Sequence, residues 1–282
     1  MTIGKIPPLI TPEVARQLLV GHTLVSLDLG LTPSTVSIED GFVRLPGDNL
    51  VSLVDLKKIA EREDSVFFLE DEKIYSVAIS NGHYLKLVPT KGAPTLELDG
   101  IRMHRTKGIT PDADARMKVE ALGIRSGKVL DTCTGLGYSA ISSVEKGGDL
   151  IVSIELRHEV LRMAEMNPWS RRLFDDDRIH ILLGDSFSAL DALPNNFFDY
   201  AIHDPPRLAL AGQLYSRAFY SKLFNVLKTS SRLFHYTGEP GIKHRGIDLR
   251  KGVLNRLREA GFVSTKYNPQ ILGITCEKSS RN

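Results

Sequence analysis

From Pro111 onward this chain alternates short apolar runs with amphipathic helical stretches, and that rhythm restricts its fold more than any other feature of its 282 residues. Lys128–Cys133 precedes a helical Tyr138–Glu145, Leu150–Glu155 precedes His158–Met166, and Ile179–Gly184 precedes Ser186–Leu193. Phe198–His203 then leads to Gln213–Leu227, and Arg232–Thr237 to Leu249–Ala260. Successive strand–helix pairs of this kind predict a parallel sheet with right-handed crossovers and helices on both faces. The closing runs Phe262–Tyr267 and Ile271–Glu277 have only Asn268–Gln270 between them. Such a link permits a hairpin but not a crossover, so one terminal strand is expected to run antiparallel. The predicted fold class is α/β.

The first 105 residues follow a different pattern, with the period-2 alternation and turn residues of short strands. Thr23–Leu29 and Thr35–Leu45 are strand-like, the second broken by a turn at Glu39-Asp40-Gly41. Val51–Glu63 has helical spacing, with Leu53, Leu56 and Ile59 on one side. Val66–Leu69, Ile74–Ile79, Tyr84–Val88 and Leu96–Met103 read as further strands. The expectation is a small α+β accessory domain over residues 1–105, which would position RNA, and a catalytic domain over 106–282.

No apolar run approaches the roughly 20 residues needed to cross a bilayer, and the N-terminus lacks a secretory pattern, so a membrane partner is not expected. Cys133 and Cys276 are the two cysteines, without a CxxC pair or Cys/His cluster. Neither a disulfide framework nor a metal site is therefore expected, and the cytoplasm is the default compartment. The net charge of +2 hides an uneven distribution: Arg207–Arg258 holds eleven Lys/Arg against Glu239 and Asp248. That run suits a polyanionic partner, or equally a solvated surface whose acidic partners lie elsewhere in the fold.

The segment Asp131-Thr132-Cys133-Thr134-Gly135-Leu136-Gly137 follows a buried strand and opens a helix. In a doubly wound sheet this turn lies at the mouth of the ligand crevice. Gly135 and Gly137 leave out Cβ atoms where backbone and ligand would approach, and Asp131 offers a carboxylate to a cationic group. Two further acids end the next strands: Glu155, suited to ribose hydroxyls, and Asp185 before Ser186, suited to an adenine amino group. Singly, a glycine pair can be a packing turn and Asp185 a helix N-cap. Their order on three successive strand ends is what points to a nucleotide. The GxGxxG fingerprint of nicotinamide dehydrogenases is absent.

On these residues, positions 105–278 resemble a class I S-adenosylmethionine-dependent methyltransferase, a Rossmann-like sheet with an antiparallel terminal strand. The resemblance implies that S-adenosylmethionine is the cofactor. Asp131, Thr132, Gly135 and Gly137 would lie at its methionine end, Glu155 at the ribose, and Asp185 with Ser186 at adenine. Cys133 stands where many members carry a first glycine, a variant familiar among enzymes acting on nucleic-acid amines, and is read as a packed residue.

The fourth strand runs into Asp204-Pro205-Pro206-Arg207. Two prolines stiffen this loop and contribute no N–H, so it presents acceptors without competing donors. An aromatic exocyclic amine, whose lone pair is delocalised into its ring, needs such acceptors on its hydrogens to become nucleophilic. The tetrad resembles the Asp/Asn-Pro-Pro-aromatic motif of amino-group methyltransferases, with Arg207 in the aromatic position. A guanidinium can stack on a base or hold phosphate. The alternative is a rigid turn with Asp204 bonded locally.

His203 and His235 are read as structural. Lys243 and Arg245, in the glycine-rich loop after the fifth strand, are assigned to substrate phosphates, or to plain solvation, and Thr106 or Lys107 to a cofactor lid. The resulting expectation is methyl transfer to an exocyclic amine of RNA. Resemblance to archaeal Asp-Pro-Pro-Arg enzymes points to cytidine N4 in ribosomal RNA. A protein or polyamine amine, or a non-catalytic RNA-binding subunit, are the competing readings.

Overall fold

The computed structural model describes residues 6–47, 49–71, 73–238 and 249–279. The chain divides into two compact units, Met1–Asp112 with Glu159–Phe174, and Ala113–His158 with Asp175–Asn282. Where the sequence suggests a single cut after residue 105, residues 159–174 thus fall with the N-terminal unit.

In the first unit the described strands form small antiparallel sheets and a ribbon. Asp40 and Gly41 both take positive φ and close the hairpin Ser37–Glu39/Phe42–Leu45, matching the expected turn. The expected Ile74–Ile79 strand is two, Lys73–Ser76 and Ala78–Ser80, which belong to different sheets. The expected helix from Val51 begins later. Val51 pairs with Val43, and Ser52 caps the helix Leu53–Ala60 by accepting the Asp55 N–H at 3.0 Å. A second helix, Pro12–Leu19, was not expected, although its start carries a legible signal: Thr11 accepts the Val14 N–H and proline occupies the first turn. Val14, Ala15 and Leu18 of that helix pack with Leu56, Ile59, Val43 and Leu45 in this unit's core.

The second unit contains the predicted sheet. Its strands are β1 (Lys128–Asp131), β2 (Leu150–Glu155), β3 (Ile179–Leu183), β4 (Phe198–His203), β5 (Leu227–Tyr236), β6 (Phe262–Asn268) and β7 (Gly273–Lys278). They lie in the order β3-β2-β1-β4-β5-β7-β6. All neighbours are parallel except β7, which is antiparallel to both β5 and β6. The helices are α1 (Pro111–Glu120, its first two residues in the other unit), α2 (Tyr138–Glu145), α3 (Ser186–Ala192), α4 (Arg217–Val226) and α5 (Leu249–Glu259). Phe219, Tyr220, Leu223 and Phe224 of α4 join Leu130, Ala201, Leu233 and Ile274 of the sheet in one core. Apolar side chains on both faces of the central strands are the burial pattern of a covered parallel sheet. This is the class I methyltransferase architecture.

Strand order reverses between β1 and β4, and that reversal opens a crevice at the strands' C-terminal ends. The register sets the levels of the side chains there. Asp131 lies opposite Ser153 on one side and Ile202 on the other. Glu155 and Asp204 therefore both come two residues beyond the level of Asp131, flanking it on either side.

Candidate active site

Asp131, the last residue of β1, is wholly buried. Its Oδ2 accepts hydrogen bonds from Ser139 Oγ at 3.0 Å and Ser153 Oγ at 2.9 Å. Its Oδ1 is buried without a hydrogen-bond partner. Buried carboxylate oxygens are rarely left so, and an orphaned one at the mouth of a crevice is a place for a ligand's donor. Burial pushes the carboxyl up to about 7; the two serine hydroxyls oppose that shift, the Asp204 charge adds to it, and the Cys133 N–H stabilises the anion weakly.

The folded-state value lies above the ordinary 3.8. Its contribution to stability is therefore complete below that ordinary value and is lost as pH rises through about 7. A cationic ligand group against Oδ1 reverses the preference by favouring the anion, so binding near neutrality should expel a proton. In calorimetry at about pH 6.5, the heat of S-adenosylhomocysteine binding is expected to vary with the ionisation enthalpy of the buffer. Asp131→Asn should remove that variation. A buffer-independent heat in the unaltered protein would refute the assignment.

The loop after Asp131 turns on Gly135 (φ +54°) and Gly137 (φ +81°), conformations that side chains resist. The Gly135 N–H donates to Glu155 Oε2 at 2.9 Å and the Arg157 N–H to Oε1 at 3.0 Å. Burial raises the Glu155 carboxyl, against the backbone N–H groups that lower it. Each oxygen keeps a second lone pair for a hydroxyl donor. Beside Glu155, Leu156 is 59% exposed, and Leu183 at the end of β3 is 56% exposed. Apolar surface next to a ribose-competent acid suits a flat purine. The orphaned oxygen, the acid at the next strand end and these leucines together fit S-adenosylmethionine.

Three residues expected at the cofactor also have partners within the chain. Thr132 is buried and its hydroxyl donates to His203 Nδ1 at 2.7 Å, while the buried Ser186 hydroxyl is spent on the Thr132 carbonyl. Both side chains brace the loop from inside. Asp185 caps α3, accepting the Phe187 N–H at 3.2 Å and the Ser188 hydroxyl at 3.1 Å, and also accepts Gln213 Nε2 at 3.0 Å. Cys133 is packed against the core, and burial holds its thiol well above the ordinary value, which disfavours a nucleophilic thiolate.

Asp204 follows β4, with Pro205 buried behind it. The Tyr215 hydroxyl donates to the Pro206 carbonyl at 3.0 Å and pins the loop. Asp204 Oδ2 is 2.6 Å from Lys118 Nζ, which is also 2.7 Å from Asp114 Oδ2 and 4.3 Å from the centre of the Tyr236 ring. Lys118 and Asp114 come from α1, and neither stood out in the sequence. Their i, i+4 spacing is that of an ordinary surface pair. Only their burial, with 6% and 3% of the side chains exposed, marks them out.

His203 and His235 are core residues with both nitrogens engaged. His203 Nε2–H donates to the Leu214 carbonyl at 2.9 Å; Tyr220 donates to His235 Nε2 and His235 Nδ1–H to the Tyr236 carbonyl, each at 2.7 Å. Burial depresses His203 to about 3 and His235 well below its ordinary value, so both stay neutral. Arg207 is exposed in a turn with the exposed Leu208 and Leu210. Lys243 and Arg245 lie outside the described residues. Thr106 and Lys107 belong to the first unit.

Four cations of the basic run have acidic neighbours from elsewhere in the fold: Arg217 with Glu259, Lys222 with Asp191, Lys228 with Asp199 and Arg232 with Glu277. The run is thus partly neutralised. No group of three or more His, Cys, Asp or Glu that could hold a metal ion occurs among the described residues, and none of their helices is long and apolar enough to cross a membrane.

No family model matches the sequence. It is 44% identical over 278 residues to the uncharacterized protein MJ1233 of Methanocaldococcus jannaschii, covering 95% of each chain. A stretch of 141 residues is 30% identical to polyamine aminopropyltransferase 2 of Streptomyces coelicolor, covering 43% of this chain and 25% of that protein. Among solved structures, a spermidine synthase in complex with the transition-state analogue AdoDATO superposes with a TM-score of 0.58 at 20% identity, over 72% of this chain and 73% of that one. Spermidine synthase from Thermotoga maritima gives 0.55 at 20% identity, over 72% and 71%. At such identities the likeness is one of fold.

Proposed function

We propose that this chain, which belongs to the family of the Methanocaldococcus jannaschii protein MJ1233, transfers a methyl group from S-adenosylmethionine to an exocyclic amine of an RNA base, with cytidine N4 in ribosomal RNA as the preferred target. The observation that carries the reading is the pairing of two acids at the strand reversal: Asp131, with one oxygen orphaned in the crevice, and Asp204, close enough to raise it, on a loop stiffened by two prolines.

The cofactor, when bound, supplies an electrophilic methyl group on a sulfonium. Asp131 Oδ1 would accept its ammonium, Glu155 its ribose hydroxyls, and Leu156 with Leu183 its purine. Asp204 is the catalytic residue. It accepts an N–H of the target amine, steadies the positive charge that develops on nitrogen as the sulfur–methyl bond breaks, and passes to solvent the proton that the methylated nitrogen then sheds. The Pro206 carbonyl accepts from Tyr215, which holds the loop in place, and Asp204 is the acceptor offered to substrate. Arg207, Leu208 and Leu210 offer an exposed cation beside apolar surface, a combination suited to an unstacked base and its phosphate. Lys243 and Arg245 are proposed as further phosphate contacts.

Aminopropyl transfer to a polyamine is the second reading, favoured by the names of the Streptomyces relative and the spermidine synthases. One experiment separates the two. The protein is incubated with S-adenosylmethionine labelled in its methyl group and RNA from cells lacking the enzyme, and the RNA is digested to nucleosides. Label in N4-methylated cytidine is the expected outcome. Label on a ring carbon, or none in RNA together with aminopropylated amine when decarboxylated cofactor and putrescine are supplied, would overturn it.

A further inference from the structure

Lys118 is an ammonium buried beside the proposed catalytic carboxylate. Its three N–H bonds face Asp204 Oδ2, Asp114 Oδ2 and the ring of Tyr236. Asp131 at the end of β1, Cys133 in the loop after it and Tyr215 before α4 are further titratable neighbours, each coupled electrostatically to Asp204. Two carboxylates with an aromatic face are the fittings with which a protein holds an alkylammonium. Here the chain's own lysine fills them.

We propose that Lys118 is a positioning and specificity-determining residue that occupies the cation position beside Asp204, leaving Asp204 Oδ1 to accept from a neutral amine and excluding aliphatic ammonium substrates. This rests on the reading of Asp204 as the residue that meets the target amine. A primary aliphatic amine has an ordinary pKa near 10 and arrives charged. It needs carboxylates whose charge is not already met, and at this position it would face a buried ammonium instead. A base amine is uncharged and asks only for an oriented acceptor. Anchoring Oδ2 to Lys118 restricts the Asp204 rotamer and supplies that orientation.

The test measures binding of spermidine by calorimetry to the full chain saturated with S-adenosylhomocysteine. The unaltered protein is expected to bind spermidine no more tightly than millimolar, on the order of a typical nonspecific contact. Lys118→Met, which removes the cation and keeps the bulk, is expected to gain about tenfold or more in spermidine affinity, while Lys118→Arg is expected to keep the exclusion. With RNA as substrate, Lys118→Met should lower kcat about tenfold with KM within about threefold, the pattern of a lost orientation and not of lost binding. If Lys118→Met does not fold, as judged by S-adenosylhomocysteine binding, Lys118→Gln replaces it with the same expectations. Tight spermidine binding by the unaltered protein, or no gain in the folded variant, would overturn the proposal. The spermidine comparison uses no RNA, so failure of RNA methylation would count against the functional reading alone.

Discussion

Replacing Asp204 with Asn is expected to lower kcat about 100- to 1,000-fold while S-adenosylhomocysteine affinity changes less than about threefold. The substitution keeps shape and one carbonyl acceptor but removes the negative charge that steadies nitrogen as it becomes cationic. Charge stabilisation at the reacting centre is a transition-state term, so the loss belongs in kcat and not in binding. The variant leaves Lys118 paired with Asp114, so the fold should survive. Single-turnover rates with saturating cofactor, alongside calorimetry on the same preparation, check both halves. A variant with near-normal kcat would mean that Asp204 merely ends the strand.

Asp131→Asn should weaken S-adenosylhomocysteine binding about 100-fold, an effect on the order of 2.7 kcal/mol, the scale for losing one partner of a buried charge pair. The same substitution is expected to raise the melting temperature of the free protein by a few degrees at about pH 8. The opposite signs have one cause. Burial disfavours the Asp131 anion and holds its carboxyl near 7, so in the absence of ligand the charge is a cost at alkaline pH. An asparagine oxygen still accepts from Ser139 and Ser153, and no buried charge remains. A residue kept for packing would lose stability when replaced. Melting curves at pH 5 and pH 8 supply the internal control, because the gain should shrink at the lower value, where the native carboxyl is already protonated. A loss of stability at both values with binding intact would dismiss Asp131 as the cofactor's anchor.

The sequence was a good guide wherever an element's role depends on its own neighbours along the chain. The alternation from Lys128 to Leu257 and the short Asn268–Gln270 link were enough to anticipate the sheet and its antiparallel terminal strand. Asp131, Glu155 and Asp204 were legible because a strand end is a local feature, and parallel strands bring their ends to one rim. The helix Pro12–Leu19 is absent from the expected elements, although Thr11-Pro12 carries an equally local start signal.

What the sequence could not carry is which partner each polar group finds. Thr132 and Ser186 sit at the expected places, yet their hydroxyls turn to His203 and the Thr132 carbonyl. The basic run meets Asp191, Asp199, Glu259 and Glu277 across the fold. By itself, then, the chain determined its alternation of strands and helices and the acids at the strand ends, because periodicity and turn chemistry act over a few residues. Only the tertiary structure decided that Asp131 keeps one oxygen unpaired and that Lys118, 86 positions from Asp204, lies against it. Burial and hydrogen-bond partnership are properties of the packed whole, and no short stretch of sequence contains them.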